Sequence, residues 1–306
     1  MTNKATYRGI IVPMVTPFNQ RGSIDEASER RIVSHIVSSG CAVFVAGTTG
    51  ESSSITDDRK VGLVRIAVEA NAGRNLVYAG IADNAFDASL AKARLYKDLG
   101  ADAAVAHVPW YYAIDEEQTR DWFLRLADEC PLPLLLYNMP VTTGHSMSVA
   151  FMDELSRHEN IVGAKDSERG DDRLAESLAS WSSREDFTFH LGWAAMTSWG
   201  LQHGMDGGVP SSANLVPDLY RGIYDAVQKG DMDEADRLQA ITNEISDYYQ
   251  LGQPLSRSIP MFKAMLSEFG LCGEYVAPPM LTLAGSELDR VRRETRERFG
   301  EFVTCR

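Results

Sequence analysis

No stretch of this sequence approaches the roughly 20 consecutive apolar residues that a membrane-spanning helix needs. Its opening residues, Met1 to Arg8, are polar and lack the apolar core of a secretory signal. Cysteine is scarce: Cys41, Cys130, Cys272 and Cys305 lie far apart, and none belongs to a Cys-x-x-Cys pair. That excludes a disulfide framework of the small secreted kind and points to free thiols in a reducing cytoplasm. Positive charge is short, with 30 lysines and arginines against 43 aspartates and glutamates, a formal net charge of −13. Nucleic-acid binders present a basic face, so a polyanion is a poor main partner. A single small site can still be rich in donors and take an anionic substrate. Also missing are the Gly-x-Gly-x-x-Gly turn of a dinucleotide fold, a Walker loop and a His-Glu-x-x-His zinc motif. The six histidines, His35, His107, His145, His158, His190 and His203, are scattered and offer a metal-dependent reaction little support.

What is present is an ordinary globular composition, 44% apolar and 24% charged over 306 residues, ample for a large core. Short apolar runs recur: Gly9 to Val15, Ala42 to Ala46, Leu76 to Ile81, Ala103 to Val108, Leu132 to Tyr137, Asn160 to Ala164, Phe187 to Leu191 and Asp206 to Val209. Their spacing is that of βα units, and their continuous apolarity suits parallel strands buried on both faces. Amphipathic stretches fill the gaps. Ile32, Val33, Ile36 and Val37 share one face before Gly40, and Ala88, Ala91, Leu95 and Leu99 form a stripe before Gly100. Trp122, Phe123, Leu126 and Ala127 do so before Pro131, and Thr56 is placed to cap a helix starting near Asp57. Eight strand–helix pairs predict a (β/α)8 TIM barrel, with a flat doubly wound sheet as the structural rival. After about Ala213 only helical patterns remain, which predicts a barrel over 1–225 and an appended C-terminal helical segment over 226–306.

In such a barrel, functional residues gather at the C-terminal ends of the strands. Three places qualify. Lys4, Lys60, Lys92, Lys97, Lys229 and Lys263 fall in tails or helical stretches where an ammonium reaches water; only Lys165 ends an apolar strand, in Ile161-Val162-Gly163-Ala164-Lys165-Asp166-Ser167. Desolvation there favours the neutral amine, a nucleophile toward ketones; a strand-end lysine paired with Asp166 is the plainer alternative. Gly47-Thr48-Thr49-Gly50-Glu51-Ser52 follows the second strand, and its N–H and hydroxyl groups suit a carboxylate or phosphate. Such a turn is also common without any ligand. Tyr137 ends the fifth strand, as a proton shuttle or as a core aromatic with its hydroxyl at the rim. His107 and His190, near strand ends, are candidates to line the pocket.

Gly9-Ile10-Ile11-Val12-Pro13-Met14-Val15-Thr16-Pro17-Phe18, Gly47-Thr48-Thr49-Gly50-Glu51, Pro109-Trp110-Tyr111-Tyr112, Tyr137-Asn138-Met139-Pro140 with Thr143-Gly144, Val162-Gly163-Ala164-Lys165-Asp166-Ser167 and Ser258-Ile259-Pro260-Met261-Phe262-Lys263 follow in an order and spacing that resemble the dihydrodipicolinate synthase and N-acetylneuraminate lyase superfamily. The resemblance spans nearly the whole chain. It implies that Lys165 forms an imine with a 2-keto acid such as pyruvate, with no other cofactor and no metal. It implies that the Thr48–Thr49 turn, with Gly47, holds the keto acid's carboxylate. Tyr137 would shuttle protons, aided by Thr49 and by an aromatic hydroxyl from a neighbouring subunit, Tyr111 or alternatively Tyr112. The resemblance further implies a homotetramer built as a pair of dimers, as similar proteins usually are. Thr142, Gly192, Trp193 and Val209 complete the implied substrate-binding surface.

The sequence also departs from the family's better-known members. Where those making dihydrodipicolinate carry an arginine two residues after the proline, this chain has Thr142, and a hydroxyl does not replace a bidentate guanidinium. Where sialic acid lyases carry acidic residues, it reads Gly192-Trp193-Ala194-Ala195-Met196, apolar and unsuited to a long polyhydroxylated tail. The expectation is a cytoplasmic class I lyase cleaving a 4-hydroxy-2-keto acid to pyruvate and an aldehyde. The alternatives are dihydrodipicolinate synthesis, a 2-keto-3-deoxy sugar acid aldolase or dehydratase, and a catalytically silent keto-acid binder.

Overall fold

The structure, a computed structural model, describes residues 4–304. The polar start at Met1 to Asn3 and the thiol of Cys305 lie outside the described residues. Cys41, Cys130 and Cys272 are buried free thiols. Eight strands, β1 (Gly9–Pro13), β2 (Ala42–Val45), β3 (Val77–Gly80), β4 (Ala103–Ala106), β5 (Leu134–Asn138), β6 (Ile161–Asp166), β7 (Thr188–Leu191) and β8 (Gly207–Gly208), pair in parallel in chain order. β8 returns to β1 and closes the barrel, which rules out the flat sheet. The helices are α1 (Glu26–Ser38), α2 (Asp57–Asn71), α3 (Phe86–Leu99), α4 (Glu116–Glu129), α5 (Pro140–Thr143), α6 (Val149–Leu155), α7 (Asp171–Trp181), α8 (Thr197–Gln202) and α9 (Pro217–Lys229). Beyond them come α10 (Met232–Gln250), α11 (Leu255–Glu268) and α12 (Gly285–Phe299). Position 225 falls inside α9, which ends at Gly230 in a left-handed cap. No helix among the described residues is long and apolar enough to cross a membrane.

Alternation along each strand sorts the core into two parts. Ile11, Phe44, Tyr78, Ala103, Val105, Leu135, Tyr137, Val162 and Val209 fill the barrel interior, while outward residues such as Val43, Ala104 and Leu136 pack beneath the helices. The eighth strand is only two glycines. A Cβ on Gly207 would lie 1.9 Å from the Gly9 carbonyl oxygen and 2.7 Å from His190 Nδ1, so the seam closes backbone to backbone.

Some local expectations change. The stripe Ala88, Ala91, Leu95, Leu99 is not the buried face of α3: Leu95 is 48% exposed, and Leu90, Ala93 and Tyr96 are buried instead. Alanine marks neither face strongly, and the aromatic ring of Tyr96 outweighs a leucine in area buried. Thr56 stands at the N-cap of α2 but its side chain makes no capping bond; Asp57 and Asp58 in the first turn complement the helix dipole instead. Lys60, Lys92 and Lys263 are buried rather than exposed. Lys92 Nζ donates to Asp83 at 2.5 Å and Lys60 Nζ to Asp57 at 3.0 Å, partners that let long stems pack inward.

Glu29 on α1 is wholly buried, and neither of its carboxylate oxygens has a hydrogen-bond partner. Burial, reinforced by Glu26 and opposed by Arg30 and Arg65, pushes its pKa up to about 9. The native protein therefore keeps this proton while the unfolded chain loses it above the ordinary glutamate value of about 4.3. Stability contributed by the protonated form is complete below that value and is lost as pH rises to about 9, at up to about 1.4 kcal/mol per pH unit. Glu29→Met should thus come close to wild type near pH 5 and exceed it by about 4 kcal/mol near pH 8 in urea unfolding. A gap that stays constant with pH would mean that Glu29 is ionised in the native state.

Candidate active site

The fifth and sixth strands set the geometry. Tyr137 pairs in register with Lys165, and Asn138 with Asp166. Alternation sends the first pair into the barrel and the second outward. Lys165 is 6% exposed, with Nζ 3.9 Å from the centre of the Tyr137 ring and 5.5 Å from that of Phe44. The plainer reading of a Lys165–Asp166 pair does not hold. Asp166 turns to Arg173, whose Nε donates to it at 2.6 Å, and also accepts from Asn138 Nδ2 at 2.9 Å. Asn138 reaches Glu168 as well, at 3.0 Å, and Arg173 donates to the Met147 carbonyl at 2.7 Å. This outer lattice fixes the ends of β5 and β6 and leaves the amine unclaimed by its sequence neighbour.

The Tyr137 hydroxyl is 3.2 Å from Thr48 Oγ1. Burial pushes its pKa up, but the Lys165 charge and hydrogen bonds to Thr48, Lys165 and Ser167 outweigh this and bring it below the usual phenol value. A phenol so placed both gives and takes a proton more readily. Sequence reasoning assigned the helping hydroxyl to Thr49; the structure brings Thr48 to Tyr137 instead. The turn is wound tightly, with Ala46 at φ 56° and Glu51 at φ 57°, so adjacent side chains diverge. Glycine is required within it, since a Cβ at Gly47 would lie 2.8 Å from the Phe44 ring and one at Gly50 2.9 Å from the Met14 carbonyl oxygen. Thr16 Oγ1 donates to the Gly50 carbonyl at 2.6 Å and anchors the turn to β1's exit.

His107 lies near this group, its ring centre 6.0 Å from that of Tyr137. Its Nδ1 is 2.8 Å from the Val108 carbonyl oxygen, which can only accept, so Nδ1 carries the proton. Burial, opposed by that bond and aided by the Lys165 charge, lowers its pKa and keeps the ring neutral. Thr48 and His107 line a cavity of about 300 Å³ with Ser52, Trp110, Thr142 and Ile259. A larger cavity, about 740 Å³, opens at the opposite end of the barrel beside Gly9, Ala42 and Leu76, away from Lys165.

Other expected residues are less central. Thr142 is exposed and donates to the Met139 carbonyl at 3.2 Å. Trp193 is half-buried, with the Arg169 guanidinium 5.5 Å from its ring centre. Val209 is buried inside the barrel with Tyr137 and Phe44. His190, in register with Lys165, is fully buried in β7. Tyr111 and Tyr112 are 76% and 73% exposed and meet edge to face at 5.1 Å; in this single chain neither enters the site. Ser167 was not singled out from the sequence. It is among the groups that lower the Tyr137 pKa, and a Cβ on Gly192 would lie 2.1 Å from its Oγ, so the bare glycine is what leaves it room. Its place after the lysine in the strand-end motif was the available signal. Among the described residues no group of three or more His, Cys, Asp or Glu is arranged to hold a metal ion.

The chain matches the dihydrodipicolinate synthetase family over residues 6–297. It is 31% identical to a 4-hydroxy-tetrahydrodipicolinate synthase of Hyphomonas neptunium, over 90% of this chain and 92% of that one. It is 29% identical to a probable 2-dehydro-3-deoxy-D-pentonate aldolase of Escherichia coli, over 93% of this chain and 95% of that one. Among solved structures, dihydrodipicolinate synthase from Bacteroides thetaiotaomicron superposes with a TM-score of 0.89 at 30% identity, over 98% of this chain and 100% of that one.

Proposed function

Since this chain belongs to the dihydrodipicolinate synthetase family, we propose that it is a lyase that cleaves a 4-hydroxy-2-keto acid to pyruvate and an aldehyde through an imine on Lys165. The observation that carries this reading is the buried Lys165 amine, 3.9 Å from the ring of a tyrosine whose hydroxyl is bonded to Thr48. The neutral amine adds to the C2 carbonyl, and loss of water leaves an iminium. Tyr137 as phenolate takes the proton of the C4 hydroxyl; the C4 oxygen's electrons form the aldehyde carbonyl, the C3–C4 bond breaks and the aldehyde departs, and the electron pair of that bond enters the iminium to give an enamine. Proton return to C3 and addition of water release pyruvate and restore the amine. The turn at Thr48 and Thr49 binds the carboxylate with neutral N–H and hydroxyl donors, which do not compete with a developing iminium.

The distal end favours an uncharged aldehyde. Thr142 offers only a hydroxyl, and Ala194 and Ala195 offer neither charge nor hydrogen bond. The exposed pair Tyr111 and Tyr112 suits an assembly of two dimers, in which one of these hydroxyls reaches the partner's Tyr137 relay. The chemistry calls for no cofactor, and a cytoplasmic setting suits its acidic surface and free thiols.

The test is reduction of the protein with borohydride in the presence of pyruvate, followed by peptide mass mapping. One adduct, on Lys165, is expected. An adduct on Lys263, or none, defeats the proposal. A panel of 4-hydroxy-2-keto acids with neutral and with carboxylated tails, assayed for pyruvate release, then tests the substrate class.

A further inference from the structure

The turn that carries Thr48 is not held by the barrel alone. Glu51 closes it in a left-handed conformation, φ 57°, and its backbone N–H donates to the Thr48 carbonyl at 3.0 Å. Its side chain runs away from the site into the C-terminal segment. There one carboxylate oxygen pairs with the Lys263 ammonium of α11, both side chains being wholly inaccessible. The other oxygen accepts from the Ala277 backbone N–H at 2.7 Å. Lys263 also donates to the Tyr275 carbonyl at 2.7 Å and sits 4.3 Å over the ring of Phe18. One carboxylate therefore joins the candidate active-site turn to two separate parts of the tail, 226 residues away in the case of Ala277.

A buried ion pair is a poor way to gain stability. The cost of stripping water from both charges rivals their attraction, and apolar replacements of similar size are often neutral or better. What it supplies is direction, because an ion pair on one carboxylate oxygen and a charge-assisted hydrogen bond on the other tolerate little displacement. Here the direction is delivered to the residue whose backbone holds Thr48. We infer that the Glu51–Lys263 pair is a positioning device that sets the Thr48 hydroxyl against Tyr137, which makes α11 and the loop through Tyr275 and Ala277 part of the active-site machinery. This rests on the proposed imine chemistry and adds to it a role for the tail.

The experiment compares wild type with the double variant Glu51→Gln/Lys263→Met, which removes both charges at nearly constant volume. Expected is a fall in kcat of about 10- to 100-fold, since displacements near 1 Å at a relay cost this much. At saturating pyruvate, borohydride trapping on Lys165 should remain at the wild-type extent, since a displaced carboxylate-binding turn raises the pyruvate concentration needed and not the final extent. In a Thr48→Val background the same double change should cost less than about twofold, because the hydroxyl it positions is already gone. Wild-type kcat in the double variant, or full losses that add to those of Thr48→Val, would overturn the positioning role. If the double variant does not fold, Glu51→Gln alone is read the same way, as its one amide oxygen can still accept from the Ala277 N–H while its NH2 group cannot pair with the Lys263 ammonium. Failure to trap the wild-type chain would instead strike at the imine chemistry itself.

Discussion

Lys165→Ala should fold and lose turnover by on the order of 10⁴-fold or more, the scale seen when an irreplaceable nucleophile is removed. No other amine takes over. Lys60 and Lys92 are committed to Asp57 and Asp83, and Lys263 to Glu51. Lys165→Arg should be equally inactive, since a guanidinium keeps its charge and does not add to a ketone. Stability should change by no more than about 2 kcal/mol in either direction. Truncation leaves a cavity, but it also removes a polar group held out of water beside two aromatic rings. Circular dichroism and urea unfolding check the fold, and kcat on the best keto acid checks the chemistry. Turnover above about one per cent of wild type in Lys165→Ala would mean that the bond is broken by some route other than an imine.

Tyr137→Phe should separate the two halves of the reaction. The phenylalanine ring keeps its place under the amine and within the barrel interior, so pyruvate should still be trapped on Lys165. Without the hydroxyl the proton transfers slow, and kcat should drop by about 10²- to 10³-fold with KM changed little. Wild-type turnover in this variant would remove Tyr137 from the relay. The pH profile adds a check on sign. Thr48 is among the groups that lower the Tyr137 pKa against the effect of burial. Thr48→Val should therefore raise that pKa, and the limb on which kcat rises with phenolate should move to higher pH. A limb that stays in place would show that another group sets it.

Much of the architecture was legible because a strand buried on both faces must be apolar throughout, and seven such runs stand out plainly from their surroundings. The eighth, expected over Asp206 to Val209, was the faintest of the eight, since Gly207 and Gly208 pair through backbone alone and carry no side-chain signal. The face of α3 was misread because Ala88 and Ala91 fit either side, whereas Tyr96 was the heavier clue. Lys165 could be found from position, as the lysine at the end of an apolar strand. The burial of Lys263 could not, because its acidic partner is Glu51, remote in the chain and visible only once the tail is folded back. The choice between Thr48 and Thr49 was likewise beyond reach of spacing. It depends on positive φ values at Ala46 and Glu51, which no alternation rule foresees for non-glycine residues.

The two-glycine seam between the last strand and the first restricts how this scaffold can diversify. With 1.9 Å between a hypothetical Cβ at 207 and the facing oxygen, no mutation there can introduce a new functional group without prising the cylinder open. Chemical novelty has to be written elsewhere around the ring, in the segments that follow the second, fifth, sixth and seventh strands. A library built to broaden the range of accepted aldehydes should spend its diversity at Thr142, Trp193, Ala194 and Ala195 and leave the closure untouched.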